Sequence, residues 1–126
     1  MRLFKFLLCC CLWIFTPISK ANDGQVKKCM EEALNQGGAS NVYRITCLKK
    51  VLQVQERLLQ ATYMQRSSQL NANQRMLLKR SQLQWLAHRN ARCAYEQSLR
   101  NTAPHPTVIE LFCRIDLTEE QAKFID

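Results

Sequence analysis

The stretch Met76–Cys93, MLLKRSQLQWLAHRNARC, decides how the rest of the chain is read. It has no Gly or Pro and is poor in β-branched residues, so nothing in it resists a helix. Wound at about 3.6 residues per turn, it brings Leu78, Gln82, Trp85, Arg89 and Cys93 to one face. An indole, an amide, a guanidinium and a thiol therefore share a stripe. A face made only for a core has no need of Gln and Arg, because buried polar groups are costly unless paired. The stripe thus either meets polar partners on other helices or lines a cleft.

Working outward, the N-terminus reads as a secretory signal peptide, residues 1–21. Arg2 and Lys5 are followed by the apolar run Phe6–Phe15 and by Ser19-Lys20-Ala21, which suits cleavage before Asn22. The run is short for a bilayer span, which takes about 20 residues, so an uncleaved anchor is the weaker alternative. A lipoprotein cut before Cys9, Cys10 or Cys11 lacks the small preceding residue it needs. Cleavage removes three of the seven cysteines and three of the 18 basic residues. What remains, residues 22–126, is one small domain with Cys29, Cys47, Cys93 and Cys113, its net charge lowered from +8 to +5. A domain of that size has a modest core and gains from cross-links. Four cysteines behind an export signal indicate disulfides. No two are at zinc-ligand spacing, and His88 and His105 do not complete a set, so no metal or other cofactor is expected.

The mature chain reads as all-α. Asn22 or Asp23 is placed to cap a first helix that Gly37-Gly38 would end. Ser40 or Asn41 is placed to cap a second, with Leu48, Val51, Leu52, Leu58, Leu59 and Tyr63 at helical spacing. Residues 67–73 read as a break, with Asn73 capping the third helix, which runs to about Asn101. Pro104-His105-Pro106 forces an extended turn. Thr107 with Glu110 is a capping-box pattern for a short fourth helix, and Thr118 with Gln121 repeats it before a last turn.

Two antiparallel helices bring residues equidistant from their turn to the same height. Cys29 and Cys47 are symmetric about Gly38, and Cys93 and Cys113 about Ala103. That favours 29–47 with 93–113 and a small helical bundle of two disulfide-stapled hairpins. Crossed pairings, which would tie hairpin to hairpin, stay open.

Gln82, Trp85, Leu86, Arg89, Asn90, Ala91 and Cys93 resemble the signature of the LprI-like lysozyme-inhibitor family, Q-x-x-W-[LI]-x-[FY]-R-D-x-x-C, with Asn90 for the usual Asp and His88 for the usual aromatic. Cys113 with Leu117-Thr118 resembles the closing C-x-x-x-L-T segment, with Gln121 where an Arg is usual. Cys29 and Cys47 resemble the first two cysteines, and Glu56 to Tyr63 the D-x-x-L-N-x-x-Y element. The resemblance spans nearly all of residues 22–126. It implies a small exported bacterial helical domain that inhibits lysozyme-type peptidoglycan hydrolases in the cell envelope.

Each residue of that signature also has a plainer reading. Trp85 is expected in the core, because an indole buries a large area. Arg89 is expected to anchor the fold, with Glu56 as its first-choice partner; the competing reading has Arg89 facing a bound protein. Gln82 and Gln121 are expected to satisfy neighbouring polar groups, and His88 and His105 to lie on the surface. The carboxylates are scattered, no phosphate loop or nucleophile–base pair is visible, and the cysteines are consumed by bridges, so the chain reads as a non-enzyme.

The leading functional expectation is a periplasmic or secreted hydrolase inhibitor that occludes a cleft holding two acidic catalytic residues. Arg89, Arg92 and His88 are the basic candidates to face them, with Gln82, Trp85 and Asn90 as further candidate binding residues. The charge opposes a simple version, since a basic inhibitor repels a basic enzyme. The alternatives are a binding module for anionic surfaces, resting on Lys27-Lys28, Lys49-Lys50 and Lys79-Arg80, or a toxin-neutralising or assembly protein of the periplasm. Membrane contact is expected to be peripheral at most, and nucleic acid is not expected as a partner.

Overall fold

The long stretches without Gly or Pro on either side of residues 67–73 become two long helices. In the computed structural model, which describes residues 19–35, 41–100 and 104–126, the helices are α1 (Ser19–Asn35), α2 (Asn41–Ser68), α3 (Ala72–Ser98) and α4 (Pro106–Ile125). No strand occurs among the described residues, and the chain is all-α. Most of the segment read as a signal peptide, and the Gly37-Gly38 turn, lie outside the described residues.

Several boundaries differ from the sequence reading. Helix α1 begins at Ser19, so Asn22 and Asp23 lie within it rather than at its start; no helix breaker separates them from Ser19. Helix α2 runs through Ser68, which shrinks the expected break. The cap of α3 is Asn71, not Asn73: Asn71 Oδ1 accepts from the Gln74 amide at 2.9 Å and Gln74 Oε1 accepts from the Asn71 amide at 3.0 Å. This reciprocal pair satisfies two of the amides that a helix start leaves without partners. Helix α3 stops at Ser98, short of Asn101.

The largest correction falls on α4. Two short helical pieces were expected; one continuous 20-residue helix is found. Its cap is His105, whose Nδ1 accepts from the Thr107 amide at 3.2 Å. Pro106 follows at the first helical position, where its fixed φ fits and its missing N–H is no loss. Thr118, expected to start a last turn, lies mid-helix and donates its hydroxyl hydrogen to the Arg114 carbonyl one turn back at 2.6 Å.

Both disulfides form as 29–47 and 93–113, each with Cα atoms 5.6 Å apart, so α1 is stapled to α2 and α3 to α4. The two hairpins join through α4, which packs against both α2 and α3. On the α2 side, Leu48, Val51 and Leu52 meet Val108, Leu111 and Ile115, with Cys29 of α1 closing the cluster. On the α3 side, Cys93 packs with Cys113 and Leu117. Helix α1 rests on α2, where Tyr43 Oη also donates to Glu32 Oε2 at 3.1 Å. Accepting that hydrogen, the Glu32 carboxylate holds the Tyr43 phenol above the usual tyrosine range.

Candidate functional site

The stripe of α3 faces α4 at one edge and α2 at the other, and its polar members find partners on both. Arg89 is the centre. Its side chain is only 5% exposed, and every nitrogen of the guanidinium is engaged. Nη1 donates to Glu56 Oε1 of α2 at 3.0 Å and to Thr118 Oγ1 of α4 at 2.8 Å. Nε and Nη2 donate to Asn90 Oδ1, each at 3.3 Å. The cation also lies 5.2 Å from the centroid of the Trp85 ring, within cation–π range. One side chain therefore links three helices, a task that the rigid fork of Arg suits and a Lys point charge does not. One turn before Trp85, Gln82 Oε1 accepts from Gln121 Nε2 of α4 at 3.0 Å.

The burial is uneven across the Arg89–Glu56 pair. Arg89 is enclosed, whereas the Glu56 side chain keeps 44% of its surface in water. Glu56 therefore carries little desolvation cost and offers a solvated charge to an enclosed cation.

Trp85 is not in the core, as the sequence suggested. It is half-buried and forms one wall of a cleft of about 250 Å³ between α2 and α3. Leu59 and Gln60 line the α2 side; Gln82, Leu83 and Leu86 continue the α3 side, and the Arg89–Glu56 pair borders it. On either side of the indole along α3, Arg89 and Gln82 meet the polar Thr118 and Gln121 of α4. A second depression, about 260 Å³, overlies Cys29–Cys47, but it is lined by exposed Lys28 and Lys50 and half-buried Glu32 and has no buried polar group.

The stripe thus combines the two arrangements that the sequence left open, with a closed polar network on one side of Trp85 and an open cleft on the other. Of the basic candidates to face a partner, Arg89 is turned inward, Arg92 donates through Nε to Glu96 at 3.0 Å, and His88 is exposed. Asn90 is exposed even though its amide oxygen serves Arg89. Thr118 is the residue that sequence reasoning misplaced. It has no exposed surface and holds Arg89 directly. The signal lay in the spacing Cys113, Leu117, Gln121, two steps of four that mark one helix running past Thr118.

Among the described residues no group of three His, Cys, Asp or Glu side chains could hold a metal ion, and no helix is long and apolar enough to cross a membrane. Fold and site together define a small disulfide-stapled helical domain built around an arginine-centred polar network. The chain belongs to the family described as Lysozyme inhibitor LprI, whose model matches residues 19–125. That description is of inhibitors, not of catalysts. No curated protein and no solved structure is matched by the chain.

Proposed function

We propose that the protein is exported and inhibits a lysozyme-type peptidoglycan hydrolase in the cell envelope, in the periplasm or outside the cell. The observation that carries this reading is the family match across residues 19–125. Two disulfides in a small domain suit an oxidising compartment, and the apolar run after Arg2 and Lys5 suits an export signal removed before Asn22. A lysozyme-type enzyme works with two carboxylates facing each other across a substrate cleft. An inhibitor stops it by filling or covering that cleft. Arg89 is committed to Glu56, Thr118 and Asn90, so it supports the binding surface and does not reach into the enzyme. The contact surface in this reading is the cleft beside Trp85 with its leucine rim.

The test is lysis of purified peptidoglycan by a panel of lysozyme-type enzymes, with and without oxidised protein beginning at Asn22. Saturable inhibition of at least one enzyme, lost after reduction of the disulfides, is expected. Full activity of every enzyme in the presence of micromolar folded protein would reject the reading.

A further inference from the structure

Beside the inward-facing stripe, α3 carries a second one. Met76, Lys79, Leu83, Leu86 and Asn90 follow at steps of three, four, three and four, so they share a face. All five are exposed, with Met76 at 62%, Leu83 at 61% and Leu86 at 40%. The stripe is about 21 Å long, and two of its leucines form the rim of the cleft beside Trp85. Exposed apolar side chains in a row beside a concavity are the makings of an interface centre.

The charge of the two helices that bear this surface is one-sided. Helices α2 and α3 carry ten lysines and arginines against two carboxylates, Glu56 and Glu96. Both carboxylates are already paired with arginines of α3. Helix α4, on which these two helices rest, carries Glu110, Asp116, Glu119 and Glu120 against Arg114 and Lys123. The basic excess of the molecule is thus concentrated on the two helices that frame the cleft. A surface of this kind steers an acidic partner toward itself and repels a basic one.

The same charge would attract an anionic bilayer, but the shape favours a protein. A flat lipid surface does not enter a cleft of about 250 Å³ whose walls include the amides of Gln60 and Gln82. Amides reward partners placed at fixed angles, as a protein places them.

We infer that this face, the α3 stripe with the cleft it rims, docks a hydrolase whose own surface is acidic, with an apolar projection of that enzyme seated against Leu83, Leu86 and Trp85. The inference rests on the inhibitor reading and names the kind of enzyme inhibited.

The experiment compares two lysozyme-type hydrolases, one of acidic and one of basic net charge, against wild-type protein, the Lys79→Glu/Arg80→Glu variant and Leu83→Ser. All three substituted residues are exposed, and thermal melting checks that each variant folds. Wild type should inhibit the acidic enzyme at least about tenfold more tightly than the basic one. The double charge reversal should weaken that inhibition by about tenfold at low salt, with the gap narrowing at about 0.5 M salt. Leu83→Ser should weaken it at both salt concentrations. Tighter inhibition of the basic enzyme, or inhibition indifferent to all three substitutions, would overturn the inference and leave the inhibitor reading standing. Inhibition of neither enzyme would remove both. Binding to phosphatidylglycerol vesicles, with no complex formed with the acidic enzyme, would assign the face to lipid and overturn the inference.

Discussion

Arg89 is the residue on which three helices depend, and the uneven burial of its ion pair sets what each substitution does. Glu56→Ala leaves an enclosed guanidinium with only Thr118, Asn90 and the Trp85 ring, and loses a charge-assisted hydrogen bond of about 2 kcal/mol. Arg89→Ala removes the cation and its packing, but the carboxylate left behind is already half in water. That change should cost about 3 kcal/mol, at the lower edge for breaking a buried pair. The double variant should cost clearly less than the sum, and urea unfolding of the set measures the coupling. Arg89→Lys should recover little, because one ammonium cannot serve Glu56, Thr118 and Asn90 together. An Arg89→Ala protein as stable as wild type would show that the network contributes nothing to the fold. The meeting of Arg89 with Glu56 was open to sequence reasoning because both occupy signature positions. Thr118 was hidden: a threonine three residues before a glutamine reads as a helix start, and only the continuity of α4 turns it into a buried acceptor for Arg89.

The elements were legible where periodicity was long and ambiguous where polar residues cluster. Helices α2 and α3 follow from unbroken helical spacing, and their existence was plain in the sequence. Their junction was not, because Asn71 and Asn73 both suit a cap. The choice fell to Asn71 because only it has a glutamine three residues on, Gln74, able to return the hydrogen bond. Asn71→Ala should therefore cost about 1 kcal/mol, whereas Asn73→Ala should be close to neutral; denaturant midpoints of the two variants decide between the caps. In α4, the Pro-His-Pro turn was legible as a break, but not that His105 itself supplies the capping atom. Trp85 was misread at this scale too. Its place on the stripe was right, but a stripe fixes a direction, not a depth, and depth depends on what α2 and α4 leave open.

At the scale of the molecule, the two bridges are not equivalent. Cys93 is fully enclosed between α3 and α4, whereas Cys47 is half-buried and joins α2 to α1, a helix that rests on α2. Each bridge closes a loop of similar length, worth about 3 kcal/mol, so accessibility rather than chain entropy should separate them. Under mild reductant, alkylation and peptide mapping should find Cys29 and Cys47 labelled well before Cys93 and Cys113. Simultaneous labelling of all four would mean that α1 is bound as firmly as the rest. The joining of the two hairpins was beyond the sequence, because each hairpin could be drawn without the other; the residues that merge them, Leu111, Ile115 and Leu117, serve two clusters from one helix. That arrangement has a consequence in time. The ribosome makes α4 after the three helices, and α4 alone carries the apolar surface shared by α2 and α3. The two hairpins cannot merge until α4 has been made, so the order of the helices along the chain acts as a built-in delay on folding.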